Sequence, residues 1–283
     1  MIELKSVSKS FDDHVILDHI DLTIRDAETM VVIGRSGTGK SVLLKHIIGL
    51  MRPDAGSVLV GGVDLGKVSG PEMDRLRLRF GMLFQGAALF DSMTAFENVA
   101  FALREHTTLE SSAIGQRVHE CLQLVGLEGV DQLYPSELSG GMRKRVGLAR
   151  ALAMNPEIIL YDEPTTGIDP IMGDIINHLI IGLRDQLKVT SVVVTHDMRS
   201  AYKVADRIAM LYNGKIVDIG NPDEIRHSKS PIVQQFINGE AVGPIQEGLP
   251  DQRILSRWSS RRPVPGARSP AGGAGRRAEH GGS

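Results

Sequence analysis

The chain has 283 residues, of which 42% are hydrophobic and 23% are charged, values that are ordinary for a soluble globular protein. This length is enough for one large domain or two small ones with a sizeable core. The formal net charge of −2 gives no overall electrostatic reason to expect binding to nucleic acid or to a bare anionic membrane. The single cysteine, Cys121, cannot form an intrachain disulfide, so a reducing compartment is expected.

The amino-terminal segment has charged residues within its first five positions (MIELK) and lacks the apolar core of a signal peptide. No run in the sequence approaches the roughly 18 apolar residues that a membrane span needs. We therefore expect a cytosolic chain unless a partner brings it to a membrane.

The first third of the chain is dominated by strand patterns. Alternating and β-branched residues predict strands in IELKSV and VILDHIDLTI, and the short apolar run TMVVIG is typical of a buried parallel strand. A helix is expected from Lys40 to about Leu50, and further strands in SVLVGG and FGMLFQ. Residues from about Thr94 to Val125 follow a helical pattern.

The rest of the chain alternates strands and helices. A helix should follow LSGG (residues 138–141), with an apolar face formed by Met142, Val146 and Ala149. Three basic residues are expected off that face: Arg143, Lys144 and Arg150. EIILYDEP and TSVVVTHD are two more buried strands, separated by a helix in IMGDIINHLIIGLRDQL. This alternation predicts an α/β domain with a mostly parallel sheet, into which the middle helical stretch is inserted.

The composition changes from about Pro250. Residues 251–283 are rich in Pro, Gly, Ala and Arg, show no periodicity, and hold seven arginines against two acidic residues, Asp251 and Glu279. Such a segment can bury little apolar surface, so the sequence favours solvated disorder over contact with anionic lipid or nucleic acid.

The segment GRSGTGKS lies between an apolar strand and a helix, which is the context that a phosphate loop requires. Its glycines let backbone N–H groups converge on phosphate oxygens at a helix N-terminus. The alternative is a glycine-rich turn that matches by chance. We expect Lys40 to reach the β- and γ-phosphates and Ser41 to ligate Mg²⁺. The predicted loop consists of Gly34, Arg35, Ser36, Gly37, Thr38, Gly39, Lys40 and Ser41.

Two adjacent carboxylates follow the apolar run in EIILYDEP. Asp162 lies at the end of the predicted strand, at the edge of the sheet, where it can bind Mg²⁺ or its coordinated waters. Glu163 lies beyond the strand end, placed for a water rather than for the metal, and can act as a general base. The alternative is a solvated strand end, but four preceding apolar residues and a following proline favour catalysis.

Two further polar residues end predicted strands at the same edge. His196, in VVVTHD, can contact the γ-phosphate and steady the attacking water, although a lone histidine is more often structural. Gln85 ends GMLFQ and can reach Mg²⁺ or the water through its amide. Gln85 alone would be weak evidence for a site. Because these motifs all follow strands that end at the same edge of the sheet, they support a single site.

LSGG forms a second candidate anion site because it opens a helix. Ser139 and the amides of Gly140 and Gly141 can bind phosphate there. Since the chain's own phosphate loop surrounds one side of a nucleotide, the second element would serve the nucleotide of another copy. Two chains arranged head to tail would then bury two ATP molecules between them.

The order of GRSGTGKS, Gln85, LSGGM, IILYDEP, TTGIDP and His196 resembles the ATPase subunit of an ATP-binding cassette (ABC) transporter. The resemblance covers about residues 2–240. It implies ATP hydrolysis with ATP and Mg²⁺ as cofactors. It also implies a P-loop NTPase fold with a mostly parallel core sheet, an N-terminal antiparallel β subdomain and a helical subdomain at about residues 86–155. The nucleotide-binding domain would span residues 1–240, followed by a C-terminal extension, residues 241–283, disordered from about residue 250.

The resemblance also assigns two residues that patterns alone do not. Phe11 resembles the aromatic that stacks on adenine, although it could be an ordinary core aromatic. Asp169, in GIDP, resembles the aspartate that crosses the dimer interface to the opposite phosphate loop. Met142 departs from the family, which usually has glutamine after the second glycine of the signature, so a polar contact is lost there.

LSGGM with its basic run, MLFQGAALFDSMTAFENVAFALREHT, and QQFINGEAVGPI near the end resemble the ATPase of the maintenance-of-lipid-asymmetry (Mla) systems. These are bacterial phospholipid transporters that work with MCE-domain proteins. The resemblance implies an integral-membrane permease, an MCE-domain lipid-binding protein and a second copy as partners, no nucleic acid, and a peripheral position on the cytoplasmic side of the inner membrane.

Rival interpretations come from the same superfamily. ABC ATPases of DNA repair carry long coiled-coil or zinc insertions, and translation-associated ones usually hold two cassettes, so neither fits. A transporter ATPase for another substrate, such as an amino acid or a metal, remains open. The segment from Gly86 to Val99 follows Gln85 and is the predicted docking site for the permease. Leu89 and Phe90 are expected to dock, whereas Phe96 and Val99 are expected in the core.

Overall fold

The computed structural model describes residues 1–245, so the disorder predicted from about residue 250 lies outside the described part. The strands there are, in chain order, β1 (Ile2–Phe11), β2 (His14–Ile24), β3 (Thr29–Ile33), β4 (Ala55–Val60), β5 (Val63–Asp64), β6 (Phe80–Leu83), β7 (Ile158–Asp162), β8 (Thr190–Thr195), β9 (Arg207–Tyr212) and β10 (Lys215–Gly220). The α-helices are α1 (Lys40–Ile47), α2 (Pro71–Arg77), α3 (Ala95–His106), α4 (Ser111–Leu124), α5 (Gly140–Leu152), α6 (Pro170–Leu187), α7 (Met198–Val204), α8 (Pro222–Arg226) and α9 (Pro231–Asn238).

The strands form two sheets. The smaller sheet is antiparallel, in the order β2-β1-β4-β5. The larger sheet has the order β10-β9-β3-β8-β7-β6 and is parallel except for β10, which runs antiparallel to β9. The predicted α/β fold, with a mostly parallel core sheet and an N-terminal antiparallel sheet, is confirmed.

The larger sheet separates two apolar clusters. Because successive side chains of a strand point to opposite faces, β3 contributes to both. Val31 and Ile33 pack with helices α3 to α6 on one face, whereas Met30 and Val32 pack on the other face with α1 and the antiparallel sheet. Cys121 is buried in the first cluster, as a small apolar residue would be.

The helices between β6 and β7 form the layer predicted as an inserted subdomain. The predicted helical stretch from Thr94 to Val125 is two helices, because α3 ends where the Thr107 hydroxyl donates to the Leu103 carbonyl. α3 begins with a capping box in which the Thr94 side chain accepts from the Glu97 amide and the Glu97 carboxylate accepts from the Thr94 amide. This layer shares its core with the main sheet.

Two predicted boundaries differ from the structure. The helix expected to extend to about Leu50 ends at Ile47 and is followed by a turn. β6 ends at Leu83, so Gln85 lies in the loop after the strand and not at its end. No helix within residues 1–245 combines the length and the apolar character that crossing a bilayer requires.

Candidate nucleotide site

The predicted site residues come together at one edge of the larger sheet. β3, β8, β7 and β6 are neighbours and run parallel, so their carboxyl ends meet there. These strand ends lead directly into the segment 34–39, into His196 and into the pair Asp162 and Glu163. Gln85 follows the end of β6, one strand further along.

The segment 34–39 wraps around the side chain of Lys40. The Lys40 ammonium is buried and donates to the carbonyls of Gly34, at 2.8 Å, and Arg35, at 2.9 Å. Burial lowers the pKa of Lys40, and the nearby Glu163 carboxylate opposes this shift. The loop thus holds a concentrated positive charge where a helix begins, which is the arrangement that binds phosphate.

Gly39 shows why the loop needs glycine. It precedes α1 with φ of 98°, in the left-handed region that side chains disfavour. A Cβ on Gly39 would also lie 2.8 Å from Cγ2 of Ile16. The residue therefore needs both the conformational freedom and the small size of glycine.

Ser41 and Asp162 form the predicted metal pair. The Ser41 hydroxyl donates to Oδ1 of Asp162 at 3.0 Å, and burial raises the pKa of the Asp162 carboxyl. Magnesium prefers oxygen ligands and often combines one carboxylate with substrate phosphates. The pair fits this requirement, and no group of three or more His, Cys, Asp or Glu side chains within residues 1–245 could hold a metal without the nucleotide.

Glu163 lies at the centre of the site. Its side chain accepts from the Thr166 hydroxyl at 3.1 Å, lies 2.9 Å from Nδ1 of His196 and lies 3.4 Å from Nζ of Lys40. Its φ of 48° is strained for a residue with a side chain, and the Glu163 amide donates to the Val194 carbonyl of β8. The carboxylate thus lies between the lysine and the histidine, within 3.4 Å of Nζ of Lys40 and 2.9 Å of Nδ1 of His196.

Most of these residues, but neither Asp162 nor Thr166, line a cavity of about 300 Å³. Its walls contain the predicted residues Phe11, Ser36, Gly37, Gly39, Lys40, Ser41, Gln85, Glu163 and His196. Phe11 is 42% exposed, so it is not a core aromatic, and Ile16 and Val42 complete the apolar side. Sequence reasoning missed Ile16, Val42 and Thr166. Ile16 and Val42 are apolar residues whose place at the cavity depends on the fold, and Thr166, although part of TTGIDP, was not expected to contact Glu163.

The signature residues do not line this cavity. Ser139 precedes α5 and its hydroxyl accepts from the Met142 amide at 3.2 Å, which is a helix cap. A Cβ on Gly141 would lie 2.5 Å from Cε of Met172, so α5 packs closely against α6. Asp169 caps α6 by accepting from the amides of Ile171 and Met172. The signature and Asp169 thus lie on neighbouring helix starts, away from the chain's own phosphate loop.

The basic residues of α5 correct the sequence prediction. Lys144 is only 4% exposed, although its charge placed it off the apolar face. Its ammonium donates to the carbonyls of Gln85 and Glu163. Arg150 likewise donates to the carbonyls of Ala87 and Ala88, and Arg143 to that of Leu138. Lys144 lies one helical turn from the buried Leu148, a spacing that could have indicated its burial.

Known proteins resemble this chain over most of its length. A family model for ABC transporters matches residues 17–166. The probable ribonucleotide transport ATP-binding protein mkl of Mycobacterium leprae is 44% identical over 273 residues, 96% of this chain and 78% of that protein. The intermembrane phospholipid transport system ATP-binding protein MlaF of Haemophilus influenzae is 41% identical over 252 residues, 89% of this chain and 96% of that protein.

A solved structure supports the same grouping. It is the dimeric ATP-binding cassette MJ0796 in a post-hydrolysis state, bound to ADP and Pi. The match has a TM-score of 0.74 and 33% identity, and covers 78% of this chain and 99% of that one.

Proposed function

Because the chain belongs to the ABC transporter family and is its ATP-hydrolysing subunit, we propose that it powers phospholipid transport between the inner and outer membranes of a bacterium. The assignment of phospholipid as the cargo rests on the similarity of the chain to the MlaF protein of Haemophilus influenzae along nearly the whole of that protein.

We assign the steps of hydrolysis to particular residues of the site. Lys40 and the amides of the segment 34–39 would bind the phosphates, and Phe11 would stack on the adenine. Ser41, Asp162 and Gln85 would hold Mg²⁺, which neutralises phosphate charge when bound. Glu163 would take the proton of the attacking water.

His196 has a supporting role in this scheme. Its ring nitrogen lies 2.9 Å from Oε2 of Glu163, while its side chain is half exposed at the cavity wall. The histidine can therefore orient the carboxylate and reach the γ-phosphate. Orientation of a general base by a neighbouring group is a common arrangement in hydrolytic sites.

The signature and Asp169 support a head-to-tail dimer. Ser139 and Asp169 are exposed at the starts of α5 and α6, and neither lines the chain's own cavity. Free N–H groups at a helix start attract anions. In the proposed dimer, Ser139, Gly140 and Gly141 of each copy would contact the nucleotide of the other copy, and Asp169 would approach the other copy's phosphate loop.

A groove of about 650 Å³ is the proposed docking site for a permease helix. It lies between α2 and the helical layer, beside β6, and its apolar walls include Phe84, Phe90, Phe101 and Met154. Phe90 is 43% exposed, and its ring centroid lies 4.9 Å from that of Phe101. Leu89, also predicted to dock, packs instead against the core.

The loop that carries Phe90 is well fixed. Asn98 is fully buried; its side chain accepts from the Phe90 amide at 2.8 Å and donates to the Phe90 carbonyl at 3.2 Å. The same loop includes Gln85, which lines the nucleotide cavity. A permease helix in the groove would therefore touch the segment that also contacts the nucleotide.

The wider assembly follows from this docking. The permease would hold the chain at the cytoplasmic side of the inner membrane, and an MCE-domain protein would carry the lipid onward. Support for this partner comes from the Mla-like sequence after Gln85 and from QQFINGEAVGPI near the end of the described residues.

A different cargo is the main alternative. The Mycobacterium leprae relative is named for ribonucleotide transport, and an amino acid or metal transporter would use the same ATPase machinery. The nucleotide site does not discriminate among these cargoes, because cargo contacts the membrane subunit and not the ATPase.

Copurification from the native host tests the proposal. The tagged chain should bring down an integral-membrane permease and an MCE-domain protein, and mass spectrometry should find phospholipid in the complex. The Phe90→Asp chain, prepared in parallel, controls for lipid carried over from the membrane. A complex with bound ribonucleotide or amino acid and no phospholipid above that control would overturn the cargo assignment.

A further inference from the structure

Lys144 is a buried lysine in the basic run that follows LSGGM, and the proposed scheme for hydrolysis gives it no role. It lies in the first half of α5 and is 4% exposed. No carboxylate within residues 1–245 forms an ion pair with it; its hydrogen-bond partners are the main-chain carbonyls of Gln85 and Glu163, the latter at 3.1 Å. A single ammonium thus joins the loop after β6 to the residue that follows β7.

This arrangement is costly if its only purpose is packing. Burial lowers the pKa of Lys144, and the negative charges of Asp162 and Glu163 oppose that shift. An ammonium without a carboxylate partner gives up hydration that an apolar residue of similar length would not lose. The charges of Asp162 and Glu163 offset part of this cost, and the direct contacts of the ammonium are hydrogen bonds to two particular carbonyls, so the lysine fixes the position of those carbonyls.

The two carbonyls belong to two residues that line the nucleotide cavity. Glu163 has a strained backbone with φ of 48°, and its amide is already fixed by the Val194 carbonyl. Lys144 binds the carbonyl of the same residue. Gln85 has an exposed side chain that lines the cavity, and Lys144 is bound to its main chain.

The rest of α5 holds the same loop. Two turns after Lys144, Arg150 donates to the carbonyls of Ala87 and Ala88, at 2.8 Å and 2.7 Å. A Cβ on Gly147 would lie 3.1 Å from Leu83 and 3.3 Å from Ala87. The loop after β6 therefore rests on α5, and only Lys144 extends this contact to Glu163.

We propose that Lys144 is a positioning residue for ATP hydrolysis, which fixes the main chains of Gln85 and Glu163 relative to each other. The side-chain amide of Gln85 and the carboxylate of Glu163 are then directed towards the same part of the cavity. A shift of α5 would move both residues. This inference rests on the proposed role of Glu163 as the base, but it is independent of the cargo.

Steady-state ATPase kinetics of the full chain test the proposal. Lys144→Met keeps the length of the side chain and removes its donors, so kcat should fall about tenfold or more while KM for ATP changes less than about twofold. Lys144→Arg restores donors and charge and should bring kcat back to within about threefold of wild type.

Arg145→Met is the matched control. Arg145 is the next residue of α5, and its guanidinium donates to the Gly126 carbonyl, away from the cavity. Its loss should lower the melting temperature as much as Lys144→Met does, yet leave kcat within about twofold of wild type. If Lys144→Met does not fold, Lys144→Gln replaces it, because the shorter amide cannot span both carbonyls and kcat should fall at least about threefold.

Two results would overturn the proposal. One is wild-type kcat in Lys144→Met, or in Lys144→Gln if that variant is used; the other is an equal fall of kcat in Arg145→Met. A wrong premise, in which Glu163 is not the base, can be distinguished from a wrong proposal, because Glu163→Gln would then keep its ATP turnover. If Glu163→Gln is inactive and Lys144→Met is fully active, only the positioning role of Lys144 is lost.

Discussion

Glu163 is the residue on which the proposed chemistry depends most. Glu163→Gln keeps the shape of the side chain but removes the base, so ATP turnover should fall by about 100-fold or more while ATP binding persists. The variant should accumulate as an ATP-bound closed dimer, measurable by size-exclusion chromatography with ATP.

Glu157→Gln controls for the loss of a carboxylate near β7. Glu157 precedes the strand at its opposite end and pairs with Arg79, so its replacement should leave turnover near wild type. Turnover of Glu163→Gln within a fewfold of wild type would remove Glu163 from the role of base.

Lys40→Ala should weaken nucleotide binding itself. Charge-assisted hydrogen bonds contribute about 1.5–3 kcal/mol each, so ATP affinity measured by calorimetry should fall about tenfold or more. Lys45→Ala, an exposed lysine on the same helix, should bind ATP as wild type does. Equal affinities of the two variants would contradict the assignment of the phosphate loop.

At the scale of single residues, the sequence predicted motif residues well and isolated residues poorly. Lys40, Ser41, Gln85, Glu163 and His196 were predicted together because each follows a strand end at the same sheet edge, and the structure brings them to one cavity. Their catalytic roles remain predictions. The partners of Lys144 could not be predicted, because main-chain carbonyls leave no trace in the residue pattern.

At the scale of elements, apolar periodicity predicted the strands and the long helices. It failed where a single polar contact decides the boundary. Thr107 leaves the helical conformation and caps α3 by donating from its amide and hydroxyl to the Leu103 carbonyl, and the continuous helical pattern is divided there into two helices. A pattern also treats a buried lysine as polar, although a lysine bound to carbonyls packs like an apolar residue.

At the scale of elements, a substitution in the loop after β6 tests the proposed docking of the permease. Phe90→Asp places a charge at the wall of the proposed docking groove while its backbone stays fixed by Asn98. The variant should keep its melting temperature within a few degrees but no longer copurify with the permease. In cells it should also raise the sensitivity of the outer membrane to detergent, as expected if the cargo is phospholipid.

Leu109→Asp is the matched control for Phe90→Asp. Leu109 is 48% exposed between α3 and α4 and does not line the groove. Its replacement should leave permease binding and the outer-membrane barrier unchanged. Copurification of Phe90→Asp at the level of Leu109→Asp would contradict the docking site.

At the scale of the whole molecule, residues 1–245 hold two candidate phosphate-binding elements, and one cavity combines part of the phosphate loop with Gln85, Glu163 and His196. The signature at the start of α5 lies elsewhere on the surface, where a second copy could use it. Sequence order indicated both elements. It did not show that the Ser139 side chain also caps α5. Replacing such a cap lowers the free energy of unfolding by about 1 kcal/mol.

Mixed dimers test most directly the central claim that two copies share each nucleotide site. A dimer of one Ser139→Arg chain and one Lys40→Ala chain places both lesions at one composite site and leaves the other whole. A dimer of one doubly substituted chain and one wild-type chain damages both sites. The account predicts that the first dimer retains substantial ATPase activity and the second very little. Equal activities, or the reverse order, would contradict it.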